Sequence, residues 1–346
     1  MKKKIIIAID AMGGDNAPKK NIEGINIFLK KNLSANDFEL HLYGDENILR
    51  QELIKQDIKS ELIKILHTKE KVLDDETPLT AIKNSKNTSM WNAVNAQNNN
   101  GADISLSAGN TGVLLVISRM ILKMMNEVSR PALADLWPSE KGMSVVLDLG
   151  ANIECDEKNL MDFSEMGAAL FKSIFPDQKP HVALLNIGSE EIKGTETLKK
   201  AYAKLKDLKN KNNFIFNGYI EGNELMKGKS NVIVTDGFTG NIALKTAEGT
   251  AKFLVDNLKR SLSENIFSKF SLLFSYFSLK KFKLKFDSRK YNGAIFLGLN
   301  GPVVKSHGST DALGFYYSLD LCYRIIKGNL MQEIKNNLSH LDVKKQ

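Results

Sequence analysis

A chain of 346 residues is long enough for one large α/β domain or two packed lobes, and for a sizeable buried core. With 42% hydrophobic and 25% charged residues it belongs to neither the disordered nor the fibrous class. Lys and Arg exceed Asp and Glu by 48 to 40, and the excess is concentrated between residues 259 and 290, where nine basic side chains face Glu264 and Asp287 alone. These basic residues alternate with Phe and Leu instead of forming a basic stripe, which argues against a nucleic-acid partner and for an anionic membrane or an acidic protein. Cys155 and Cys322 are the two cysteines, with no CxxC pair, so neither a disulfide framework nor a structural zinc site is expected, and a cytoplasmic location is.

The N-terminus opens with lysines and residues 5–9 are apolar, but Asp10 ends the run before it reaches the length of a signal-peptide core. A buried first strand is expected there. No stretch reaches the ~18–20 apolar residues that a membrane span requires. Along the chain, a short apolar run repeatedly ends in a polar, glycine-containing turn before a helical segment. The turns are Asp10-Ala-Met-Gly-Gly-Asp15, Ser107-Ala-Gly-Asn-Thr-Gly112, Asp148-Leu-Gly-Ala-Asn152, Asn186-Ile-Gly-Ser189 and Thr235-Asp-Gly-Phe-Thr-Gly-Asn241. Five such junctions predict βα units in a three-layer α/β/α sandwich with a mostly parallel central sheet. Helices are expected over 18–31, 45–56, 78–98, 110–126, 159–175, 194–209 and 309–337. Beyond Asn241, the positions Leu244, Ala247, Ala251, Leu254, Val255, Leu258 and Leu262 recur at helical spacing and predict a core-facing stripe. No Pro/Ser-rich linker divides the chain, so residues 1–346 are expected to form a single catalytic domain from which 250–292 protrudes.

In an open parallel sheet the strand C-terminal ends share one edge, so the five turns are expected to converge there. Helix N-termini after glycine turns offer free N–H groups and a positive dipole end, which suits phosphate or an oxyanion. Lys193, Lys305 and His307 lie in polar glycine loops and are candidate anion ligands. The chain carries no GxGxxG after its first strand, no GxxxxGK[ST], no GxSxG elbow and no HExxH. A nucleotide, a covalent acyl-enzyme and a tightly held metal all lack their signatures, and no cofactor is expected.

Taken in order, residues 7–18, 107–112, 184–188 with 190–194, 234–241, and 298–301 with 304–309 resemble the bacterial phosphate acyltransferase (PlsX) family over nearly the whole chain. The chain departs from the family pattern at Ser189, Asn292 and Ile295, and the turn around Asn292 is expected to differ. The resemblance implies a fold like that of phosphotransacetylases and of isocitrate and isopropylmalate dehydrogenases. It also implies acyl transfer from acyl carrier protein to inorganic phosphate, giving acyl phosphate for a downstream glycerol-3-phosphate acyltransferase in phospholipid synthesis. Lys193, Asn241 and His307 would then be catalytic. Phosphate or substrate would be bound by Asp10, Gly13, Gly14 and Asp15, by Gly109, Asn110, Thr111 and Gly112, by Asn152, by Asp236, Gly237, Thr239 and Gly240, and by Lys305. Rival readings are a phosphate acetyltransferase-like enzyme using an acyl-coenzyme A, a related dehydrogenase, and a non-catalytic peripheral membrane scaffold.

Residues 266–277 place Ile266, Phe270, Leu273, Phe274 and Phe277 on one helical face, and residues 281–286 alternate Lys with an apolar residue as an extended strand would. The resemblance implies a peripheral attachment to the inner face of the cell membrane beside a homodimer interface. Phe267, Phe270, Phe274 and Phe277, with Lys280, Lys281, Lys283 and Lys285, would form that surface or the dock for the acidic carrier protein.

Overall fold

A computed structural model describes residues 3–73, 76–78, 80, 85–99, 101–208, 213–264 and 266–342, with the backbone alone at 266–273, 283, 285 and 340–342. It is an α/β protein built on one large, mostly parallel sheet. The first half of the sheet uses β1 (Ile5–Asp10), β2 (Phe38–Gly44), β3 (Ile63–His67), β4 (Ile104–Ser107), β10 (Ala294–Leu297) and β11 (Val303–Lys305). The second uses β5 (Ala132–Ser139), β6 (Gly142–Leu147), β7 (His181–Asn186), β8 (Ile215–Glu221) and β9 (Val232–Val234). The strand order is β3-β2-β1-β4-β11-β10-β5-β6-β9-β7-β8. Strands such as β1 and β4 are buried on both faces because helices cover both sides of the sheet.

One expectation fails on this topology. The pairings β11–β10, β10–β5 and β5–β6 are antiparallel while the others are parallel. Three reversals in a row make β6, β9 and β7 run opposite to β1, β4 and β11. The five glycine turns therefore fall on two opposite edges: those after β1 and β4 on one, those after β6, β7 and β9 on the other.

The expected helices appear as α1 (Lys19–Lys31), α2 (Glu46–Lys55), α3 (Ser89–Asn95), α4 (Thr111–Leu122), α5 (Glu157–Ile174) and α6 (Glu196–Asp207). Side-chain N-caps fix where several of them begin: Asp45, Thr88, Asn110 and Thr195 each accept from an N–H of the first turn, and Asp156 forms a capping box with Asn159. Of the helix expected over 78–98, residues 79 and 81–84 lie outside the described residues, as does the expected frayed tail at 343–346.

The C-terminal helix expected as one piece is two. α7 (Gly237–Ser263) and α8 (Ile266–Lys285) precede α9 (Ala312–Lys327) and α10 (Leu330–Asp342). The break falls where a Cβ on Gly328 would lie 2.0 Å from the Ser173 carbonyl oxygen and where Asn329 takes a left-handed φ of 53°.

Two further expectations about the protruding segment are corrected. The stripe on α7 packs against the core only through its start, at Ala243, Leu244 and Ala247. Leu254, Val255 and Leu258 are exposed, Leu254 at 61%, because the helix runs past the sheet. Residues 281–285 continue α8 and are not extended. At about 3.6 residues per turn, positions 281 and 285 share a helix face that 283 does not.

The core of the first half is pinned by an aromatic trio, with ring centroids of Phe28 and Phe38 5.1 Å apart, Phe28 and Tyr323 5.9 Å apart, and Phe38 and Tyr323 5.7 Å apart. Phe28 is fully buried between α1, β2 and α9. Phe28→Ala is expected to cost about 3–5 kcal/mol, read as a lowered urea midpoint, whereas Leu33→Ala at an exposed position should leave the midpoint in place.

Candidate functional site

At the end of β1, the Asp10 carboxylate is 1% exposed and acts as a tie between loops. Its Oδ1 accepts from Ser89 Oγ at 2.6 Å and Met12 N at 3.3 Å; its Oδ2 accepts from Ser107 Oγ at 2.7 Å. Ser107 Oγ in turn accepts from the Gly109 amide at 3.0 Å. Burial raises the Asp10 carboxyl above its usual range, against the opposing pull of these hydrogen bonds. Only glycine fits above it, because a Cβ on Gly13 would sit 2.4 Å from Asp10 Oδ2 and 2.8 Å from the Gly109 nitrogen. Gly14 has φ +87°, and its own Cβ would meet Ala108 at 2.9 Å.

The turn after β11 closes onto this cradle. The Asp15 amide donates to the Gly308 carbonyl at 3.0 Å, and Lys20 Nζ donates to the same oxygen at 2.6 Å. Lys305 is 8% exposed, and its ammonium donates to the Ser306 and Ala108 carbonyls. Burial, then the charge of Lys20, push it down to about 8. Among the described residues it has no carboxylate within ion-pair distance. His307 donates its backbone N–H to Asn292 Oδ1 at 2.9 Å, and its Nδ1 lies 3.1 Å from Ser309 Oγ. Burial, then Lys305, lower the imidazole below its usual range.

On the opposite edge, Asp148 is the counterpart of Asp10 at the end of β6. It is wholly buried. Oδ1 accepts from the amides of Leu133, Gly150 and Ala151, and Oδ2 from the Asn152 amide and side chain, at 2.7–3.2 Å. Burial raises this carboxyl too. The loop it gathers docks on the start of α7: Gly237 N donates to Asn152 O at 2.8 Å, and Asn241 Nδ2 donates to Leu149 O at 3.1 Å. A Cβ on Gly240 would lie 2.0 Å from the Asp148 carbonyl.

The residues expected from sequence thus fall into two groups. Asp10, Gly13, Gly14, Asp15, Gly109, Asn110, Thr111, Gly112, Lys305 and His307 gather around the first cradle. Asn152, Asp236, Gly237, Thr239, Gly240 and Asn241 gather around the second. Lys193 stands apart on the loop after β7, half exposed and 3.8 Å from Glu190. Asn110 and Asp236 spend their side-chain oxygens on helix caps, to Val113 N and to Thr239 N and Oγ1. Asp10 faces inward, where its carboxylate is taken up by the loops it orders. Phe274, Phe277, Lys280 and Lys281 are exposed on α8; the side chains of Phe267, Phe270, Lys283 and Lys285 lie outside the described residues.

Three contributors escaped the sequence. Asp148 repeats the strand–Asp–glycine pattern of Asp10, and that parallel was the available signal. Asn292, at a departure from the family pattern, bonds Ser306 Oγ, Ser318 Oγ and Gly314 O as well as the His307 amide. Lys20 reads as an ordinary helix lysine, and only the fold buries it. No group of three or more His, Cys, Asp or Glu that would hold a metal gathers among the described residues, and no helix among them is long and apolar enough to cross a membrane.

Two glycine cradles, each organised by a buried carboxylate and one holding a buried ammonium, are the places where this α/β protein gathers its candidate residues. A family profile described as "Fatty acid synthesis protein" matches residues 5–333. The chain is 55% identical over 338 residues to a phosphate acyltransferase of Pelagibacter ubique, covering 98% of this chain and all of that one. It is 41% identical over 344 residues to a phosphate acyltransferase of Parvibaculum lavamentivorans, covering 99% and 93%. A phosphotransacetylase from Streptococcus pyogenes shares the fold, with a TM-score of 0.63, 16% identity and coverage of 96% and 95%. The chain belongs to the fatty acid synthesis protein family, the phosphate acyltransferases that its motifs resemble, and it is an acyltransferase.

Asp148→Ala would leave five donors without their acceptor and is expected to cost at least about 3 kcal/mol. A fall in unfolding midpoint no larger than that of an exposed control such as Asp57→Ala would contradict the tie assigned to it.

Proposed function

We propose that this acyltransferase moves a long-chain fatty acyl group from acyl carrier protein to inorganic phosphate. The relatives named above are phosphate acyltransferases, and the observation that carries the proposal here is the first cradle. It sets a buried ammonium, Lys305, beside glycine backbone at residues 13–14, 108–109 and 308. A dianion held there gains the charge of the buried ammonium in a water-poor setting.

The chemistry asks little more than placement. A phosphate oxygen attacks the thioester carbonyl carbon, a tetrahedral oxyanion forms, and the C–S bond breaks as the carbonyl returns. His307 gives its proton to the departing thiolate and regains one from the acyl phosphate, so the proton balance closes. In this scheme Lys305 holds phosphate, while Lys193 and Asn241 serve the acyl-donor side from the opposite edge. Orientation and oxyanion stabilisation supply the rate.

We read residues 1–346 as one catalytic domain, since a single sheet runs through both halves, with 250–292 as its protrusion. The product would feed a downstream glycerol-3-phosphate acyltransferase in phospholipid synthesis. Exposed Phe253, Phe274 and Phe277 beside Lys280 and Lys281 favour peripheral attachment of a cytoplasmic homodimer to the anionic inner face of the membrane. The same charge favours an acidic carrier protein.

The test is acyl-phosphate formation from long-chain acyl carrier protein and phosphate, with acyl-coenzyme A as a parallel donor. Phosphate-dependent turnover of the carrier thioester is expected, and turnover with coenzyme A alone would move the donor to that class. Lys193→Ala and His307→Ala should each lower turnover on the order of 100-fold; near-normal rates in both would overturn their roles. Because Lys305 loses its proton as pH rises through about 8, phosphate affinity measured by calorimetry should fall across that pH. The fall should vanish in Lys305→Arg.

A further inference from the structure

The first cradle ends a row of side chains that crosses the sheet. Opposite one another across successive strands stand Asp10 of β1, Ser107 of β4, Lys305 of β11 and Ala294 of β10. The register of β10 on β5, with Ile295 opposite Ala134 and Phe296 opposite Leu133, carries the row on to Asp135. Directly paired residues point to the same face of a sheet, as the hydrogen bond from Ser107 to Asp10 shows for the first pair. Asp135 therefore stands on the face that carries Lys305, two strand spacings or about 10 Å away, with the small side chain of Ala294 between them.

That face is not closed over the middle of the row. Phe296 and Val303 pack under α4 with Leu114 and Ile117, whereas Trp137 and Val146 pack under the start of α7 with Leu244 and Ala247. Leu133 touches both groups, so the seam between the two helices runs over β5. Leu133, Asp135 and Ala294 are half-buried there, although their chain neighbours Ala134 and Ile295, on the other face, are fully buried. The strip also carries unmet polar groups. Asp135 Oδ1 accepts from the Leu136 amide at 2.8 Å, and among the described residues nothing donates to Oδ2. Two residues along the same face, the Trp137 indole is 4% exposed and its Nε1–H has no acceptor.

A hydrocarbon chain lying on this strip would leave those groups unpaired, whereas an amide offers both a donor and an acceptor. Length agrees with chemistry. With phosphate at Lys305 and its attacking oxygen close to the thioester carbon, a thiol arm of the cysteamine type puts its first amide nitrogen ~8 Å from phosphorus, beyond the C–S bond and two methylenes. That is the span from β11 to β5. We propose that the open strip over β10 and β5 seats the amide-bearing thiol arm of the acyl donor, and that Asp135 is a substrate-binding residue whose Oδ2 accepts a hydrogen bond from an amide N–H of that arm. The arm then leaves the reaction centre towards α7, and the acyl chain takes another direction. The inference deepens the donor side of the proposed reaction and rests on it.

Steady-state kinetics of Asp135→Ala and Asp135→Asn test it, with phosphate and with acyl carrier protein bearing two acyl lengths that the unaltered protein turns over. Asp135→Ala is expected to raise the donor KM about tenfold, by the same factor for both lengths, while kcat and the phosphate KM stay within about twofold, the pattern of lost binding without lost chemistry. Asp135→Asn keeps an acceptor oxygen and should recover most of the loss. An unchanged donor KM in Asp135→Ala overturns the assignment, as does a rise in the phosphate KM alone. A change that grows with acyl length also overturns it, since the strip then holds the hydrocarbon chain. Absence of turnover by the unaltered protein with either a carrier-protein or a coenzyme A thioester is instead the failure of the proposed reaction, and takes this inference with it.

Discussion

A carboxylate taken out of water is costly unless donors surround it, and this fold buries one at the C-terminal end of a strand in each half. Asp10 and Asp148 are each met by backbone amides or hydroxyls from loops that would otherwise have no reason to approach one another. The glycines follow from this: a loop wrapped closely around a carboxylate has no space for Cβ atoms at Gly13 or Gly237. The cradles are therefore products of internal satisfaction first, and binding surfaces second. Their loops are held in place before any substrate arrives, which is the condition for electrostatic stabilisation without reorganisation.

The reversal of strand direction at β10 and β5 gives the molecule two functional edges. A uniformly parallel sheet would crowd all its glycine turns on one side. Here each half contributes its own turns, and α7 begins at those of the second. The long helix thus has two roles, capping the second cradle through Asp236 and extending past the sheet into the exposed α7–α8 segment.

Electrostatics at the first cradle depends on burial more than on pairing. Lys305 has burial as its leading perturbation, and its nearest bonded groups are carbonyl oxygens. Such a cation is stabilised by an incoming anion more than a surface lysine would be, since solvent does not already satisfy it. Lys193, half exposed beside Glu190, is the contrasting case, a solvated charge on a loop.

Local pattern determined much of this protein. The apolar runs ending in Asp or Asn and glycine located the strands and the loops that matter, because strand burial on both faces and tight turns leave direct marks on sequence. The helical period located the helices, while the caps that set their starts, such as Asp156, came from the structure. Only the tertiary structure decided which loops meet. Strand direction is a property of pairing, not of any one segment, so the split into two edges was invisible in the chain. The same holds for residues whose roles depend on distant partners. Lys20 is buried by a loop nearly three hundred residues away, and Asn292 anchors His307 across a turn. The exposed stretch of α7 makes the same point in reverse: its apolar spacing is that of a core helix, but period reports which residues share a face and not what, if anything, covers it.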